Sequence, residues 1–301
     1  MQALYAYFQH EKADVKSFER DLFKNLDRIY DLYLSILALL CDLHHVAMVK
    51  IDERRNKRLP DQSDLNPIFK FVNNTLLQSL SKSEELKKQL EKRKISWQND
   101  MDLVRKLYNE ISGTELYRHY QEEGSSSIQE DRDFILALVN TQLSENDFLH
   151  SYFEEKNIHW SDDSFVAFNS VIRNLEAYNG EFSLQPLLKD EKDDLEFMSQ
   201  LFTKTIQYKA RFDELIDKHT KNWEIERIAS MDMLLMEMAL AEILYIPAVP
   251  VKASLNEYID ISKEYSTPNS KVFVNGVLDK IISELRQQNQ IQKTGRGLKE
   301  S

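Results

Sequence analysis

Apolar side chains recur three and four positions apart over long unbroken stretches of this chain, the spacing that gathers them on one face of an α-helix. The pattern predicts helices near 2–9, 14–55, 66–93, 97–122, 128–157, 162–178, 189–221, 223–246, 252–265 and 270–288. Few residues interrupt it. Pro60 to Pro67, Gly124 to Ser127 and Gly180 to Pro186 read as linkers, and Pro247 to Pro250 as a stiff corner. Stretches 125–179 and 187–246 contain neither Gly nor Pro, which sets aside sandwiches, barrels and parallel α/β sheets, all of which need frequent turn residues. The expected class is all-α.

Composition changes this picture little. The 301 residues include 6 Gly and 6 Pro, and 42% hydrophobic content supports a sizeable core. The net charge of −11 works against broad coating by nucleic acid, so any RNA contact has to be local or assisted by a basic partner. One cysteine, Cys41, allows no internal disulfide, and no apolar terminal run resembles a signal peptide, so a reducing, cytoplasmic location is expected. The most apolar run, Leu32 to Leu43, falls short of the roughly 20 residues needed to cross a bilayer, and no membrane span is expected. From Gln287 onward the polar chain reads as a frayed tail.

A 63-residue step recurs. It relates Trp97, Trp160 and Trp223, and also Phe71, Phe134 and Phe197. Leu86, Leu149 and Phe212 keep the same interval, as do Leu90, Phe153 and Ile216, and Tyr108, Val171 and Leu234. One reading is a copied two-helix unit, with repeat units near 66–122 and 128–178. The other is coincidence among aromatics on helices.

The most specific residues lie near the C-terminus. An apolar helix from Glu226 to Leu244 meets the Pro247/Pro250 corner, and Ser254-Leu-Asn-Glu257 fits a capping box opening the next helix. Ser266 to Ser270 offers cap side chains before Lys271-Val-Phe-Val-Asn-Gly-Val-Leu-Asp-Lys280. Gly276, inside that helix, costs about 1 kcal/mol relative to alanine, which points to a closely approaching backbone or ligand.

These residues carry a resemblance. Ile246-Pro, Val251-Lys-Ala-Ser-Leu-Asn-Glu257 and Lys271 to Lys280 resemble the C-terminal signature of the NusB transcription antitermination family, and Gln2-Ala-Leu-Tyr5 looks like the end of its first helix. The resemblance covers residues 1–9 and about 190–288. It implies NusB-like packed three-helix bundles with additional helical units. Residues 1–9 are then a first-helix remnant, 10–186 an inserted helical region, 187–288 the NusB-like C-terminal domain and 289–301 a flexible tail.

The resemblance further implies a non-catalytic RNA-binding factor. Such proteins pair with the small-subunit ribosomal protein that doubles as NusE, bind boxA elements in nascent ribosomal RNA, and help the RNA polymerase antitermination complex resist termination. Residue by residue, Phe273 matches a family phenylalanine associated with RNA, where an exposed ring would stack on an unpaired base. Tyr5 is a second stacking candidate, and Gln2, Asn275, Ser270 and Lys271 would supply hydrogen bonds or a phosphate contact. Core packing at helical spacing is the other reading of Phe273 and Tyr5, and local capping that of Asn275. Glu237 and Glu242 would form an acidic patch for the basic partner, or else be ordinary solvated helix charges. A helical interaction module that keeps the fold without binding RNA is the alternative function.

The sequence departs from the family in two places. The arginine-rich stretch that usually precedes Gln-Ala-Leu-Tyr does not appear, which leads to the expectation of a start upstream of Met1, and Ala241 stands where the family often has an aromatic. Nothing in the pattern suggests catalysis, a cofactor or a metal. No phosphate-loop or nucleophile-elbow motif occurs, His44 and His45 point in different directions on one helix, and Cys41 sits among leucines as a small hydrophobe.

Overall fold

The computed structural model describes residues 1–59, 61–65, 67–122, 127–220 and 229–298. Trp223, the start of the predicted 223–246 helix, Pro60 and linker residues 124–126 lie outside the described residues. Among those described, every regular element is helical. In chain order they are α1 Gln2–Gln9, α2 Val15–Arg55, α3 Gln62–Leu65, α4 Thr75–Lys82, α5 Glu84–Arg93, α6 Met101–Ser112, α7 Glu115–Glu122 and α8 Ile128–Leu138. There follow α9 Asp147–Lys156, α10 Trp160–Glu176, α11 Glu191–Gln207, α12 Lys209–His219, α13 Ser230–Tyr245, α14 Val251–Tyr265 and α15 Ser270–Gln287. The chain groups into two compact units, Met1–Phe23 with Leu188–Ser301, and Lys24–Leu187.

Several long predicted helices are broken, for local reasons. The 66–93 segment begins only at Thr75 and divides at Ser83. Asn74 is wholly buried and caps α4 by accepting from the Leu77 N–H, while Ser83 caps α5 by accepting from the Leu86 N–H. The 97–122 segment divides at Gly113, and 189–221 at Tyr208. The 128–157 segment passes through a π turn at Val139–Leu143 and restarts with Asn146 as the cap of α9.

In the Lys24–Leu187 unit, every residue from Leu32 to Leu40 is buried, so α2 is apolar on all sides there. The expectation that this run falls short of bilayer length is corrected. By length and composition the 41-residue helix is sufficient, but 72% of its most apolar window is buried inside the protein, as in a core helix. Two tryptophans anchor to it. Trp97 Nε1 donates to the Ser35 carbonyl at 2.9 Å and Trp160 Nε1 to the Arg28 carbonyl at 3.0 Å, two helical turns apart. A buried polar knot ties α4, α7 and α8, in which Asp131 accepts from Tyr120 Oη at 2.5 Å and from the Thr75 N–H at 2.7 Å. The Gly180 to Pro186 linker is packed rather than loose, since Phe182 and Leu184 are buried and Asn174 Nδ2 donates to the Ser183 carbonyl.

The ends of three helices are spaced by the step seen in the sequence. α5, α9 and α12 end at Arg93, Lys156 and His219, each 63 residues after the last, and place Leu86, Leu149 and Phe212 in cores.

In the unit of Met1–Phe23 and Leu188–Ser301, α13 is the central helix. Leu234 to Ile243 are all buried, and α1, α11, α12, α14 and α15 pack against it. The described part of the tail, through Leu298, is bonded to the rest of its unit. Lys293 Nζ donates to the Ile246 carbonyl at 3.1 Å, the Thr294 N–H to the Pro247 carbonyl at 3.0 Å, and Gln290 Oε1 accepts from Arg211. An ammonium at the C-terminal end of α13 satisfies carbonyls that the helix leaves open, which polar composition alone does not reveal.

Candidate nucleic-acid and partner interface

The six RNA-contact candidates separate sharply by environment. On α1, Gln2 is exposed, and Tyr5 is 38% exposed while its neighbour Leu4 is buried in the core. At the start of α15, Lys271 and Val272 are exposed, Val272 at 74%, whereas Phe273 and Asn275 are half-buried and Phe273 packs against the core of its unit. The core-packing reading therefore describes Phe273 better than a free stacking ring, because the α15 face that carries it also carries Val277, whereas Val272 points outward.

Ser270 requires correction. It is 1% exposed, its Oγ donates to Asp232 Oδ2 at 2.7 Å, and it accepts from the Thr267 N–H at 3.1 Å. Ser266 Oγ donates to the other oxygen of the same carboxylate at 2.5 Å. The turn residues read as caps instead bind a buried carboxylate of α13 and fix where α15 begins. At Gly276 the close-backbone half of the expectation is corrected. A Cβ placed there would meet nothing within 4 Å, so no part of the described chain approaches it.

Of the acidic patch, Glu242 is corrected. Glu242 is 6% exposed and accepts from Ser254 Oγ at 2.7 Å and Tyr258 Oη at 2.8 Å, tying α13 to α14. Burial and this carboxylate push the Tyr258 hydroxyl well above its ordinary value. Ser254 is thus an interior residue rather than the first member of a capping box, and α14 already begins at Val251 after Pro250.

Glu237 is 2% exposed and accepts from Lys209 Nζ at 2.6 Å, while the same ammonium bonds Asp213 at 2.9 Å. Its second oxygen, Oε2, is buried without a hydrogen-bond partner. Burial pushes the Glu237 carboxyl up to about 7; the Lys209 ammonium opposes the rise and the neighbouring Asp213 carboxylate adds to it. These groups line a cavity of about 400 Å³ together with Tyr5, Phe8 and Asp217. The structure thereby joins Tyr5 and Glu237 at one site and leaves Glu242 elsewhere. Sequence reasoning missed Lys209, Asp213 and Asp217. The i,i+4 spacing of these three on α12 was the available signal, and it is indistinguishable from an ordinary solvated helix face.

Comparison with known proteins bears on what this surface does. A family model described as the NusB family matches residues 165–283. A protein of Salinibacter ruber called transcription antitermination protein NusB is 46% identical over 111 residues, which span 37% of this chain and 69% of that protein. The chain belongs to the NusB family. The NusB of Bacillus subtilis is 35% identical over 105 residues, 35% of this chain and 79% of that protein. That of Chloroherpeton thalassium is 44% identical over 103 residues, 34% of this chain and about half (49%) of that protein. No solved structure matches the chain. The NusB match begins at residue 165, earlier than the expected start near 190, and does not include residues 1–9, which the contact grouping nonetheless places in the same unit as Leu188–Ser301.

Proposed function

We propose that this protein is a cytoplasmic transcription antitermination factor that binds boxA-like RNA together with the NusE-type ribosomal protein, without catalysis, as part of an RNA polymerase antitermination complex. The observation that carries the reading is the match of residues 165–283 to NusB, a family whose members in Salinibacter ruber and Bacillus subtilis are antitermination proteins by name. The exposure of Gln2, Tyr5 and Lys271 supports it, because an aromatic ring, an amide and an ammonium are groups that engage unpaired RNA. With a net charge of −11, a basic partner would supply most phosphate contacts. In the same reading residues 187–288 act as the NusB-like domain, and the preceding helical region is a scaffold built from copies of its two-helix unit. Fluorescence anisotropy of a boxA-type RNA, with and without the NusE-type protein, tests the proposal.

A further inference from the structure

The cavity beside α1 holds more acidic than basic side chains. Asp213, Asp217 and Glu237 line it against the single ammonium of Lys209, which already bonds both Asp213 and Glu237. Glu237 Oε2 is buried there with no hydrogen-bond partner, although a buried acceptor left unsatisfied costs on the order of 1–3 kcal/mol. Tyr5 and Phe8 provide an apolar wall. Carboxylates repel phosphate, so the cavity does not suit an RNA backbone. Among the described residues, no three acidic, His or Cys side chains converge closely enough to hold a metal ion.

We propose that this cavity is a socket for a guanidinium group, the side chain of an arginine supplied by a basic protein partner. Glu237 Oε2 and Asp217 accept its N–H donors, and Phe8 flanks its apolar stem. The planar guanidinium presents several donors at once, which matches carboxylates on two sides better than a lysine ammonium would. The inference concerns the protein side of the proposed function. Its test contains no RNA, so its failure would leave the RNA-binding reading standing.

The test is an NMR titration of the full chain with N-acetyl-arginine amide, using N-acetyl-citrulline amide as the neutral isostere and following Tyr5, Phe8 and Lys209. Saturable shifts with the arginine amide, and affinity for the citrulline amide weaker by about tenfold or more, are expected. Glu237→Gln should abolish the preference. Asp217→Asn, at an exposed position that tolerates change, should reduce it several-fold with the fold intact. The inference is overturned by equal binding of the two amides, by an arginine preference that survives in both variants, or by no saturable shift with the wild-type chain.

Discussion

Ser270 Oγ donates to Asp232 Oδ2 at 2.7 Å, and this single contact turns a residue of the RNA-signature segment into a bolt between α13 and α15. Ser270→Ala would leave one oxygen of a buried carboxylate unpaired. It should destabilise the protein by about 1–3 kcal/mol in denaturant unfolding, while RNA affinity, measured where the variant is folded, stays near wild type.

Gly297 lies where a Cβ would stand 2.1 Å from the Pro247 carbonyl oxygen, closer than any real contact. Gly297→Ala should therefore lift the 288–298 tail from the α13 end at a cost of about 1–3 kcal/mol. Hydrogen exchange at the Thr294 amide, which bonds Pro247, should accelerate in the variant and report the release directly.

The two indole anchors on α2 differ in burial. Trp97 is 1% exposed, and Trp160 is half-buried. Trp97→Phe removes a buried donor and part of a core ring, so it should cost about 2–4 kcal/mol, with Trp160→Phe costing less. Thermal unfolding of the two variants compares them.

These anchors also show what is legible in the sequence. Their 63-residue step is visible in the order of residues alone, because large aromatics are few enough for a fixed interval between them to stand out. The helical class is legible from periodicity, and the family from the Val-Phe-Val-Asn-Gly run. The fate of individual polar residues is not. Whether Ser254 caps a helix or bonds Glu242, and whether Glu237 faces solvent or Lys209, depends on partners 12 and 28 residues away in the chain, which helical spacing does not specify. The docked tail escapes a sequence reading for the same reason, since its partners at Ile246 and Pro247 are backbone carbonyls that no side-chain pattern encodes.

Glu237 sets a pH dependence with a definite sign. Its carboxyl is raised in the folded chain to about 7 from an ordinary 4.5. Between those values the unfolded chain has released the proton while the folded chain keeps it. The stability held below the lower value is therefore lost as pH rises through the upper one. Glu237→Gln cannot ionise, so the wild type should lose more stability than the variant between about pH 4 and pH 8. Urea unfolding at a series of pH values measures the difference.

RNA binding assisted by a basic partner is tested most directly by the anisotropy of a labelled boxA-type RNA titrated with the chain alone and with the NusE-type protein. Binding should strengthen with the partner, and Tyr5→Ala should weaken it by about 1–3 kcal/mol, the worth of one stacked base, without loss of the fold. Absence of RNA binding in the presence of the partner would contradict the proposed function and leave a helical interaction module that shares only the family's architecture.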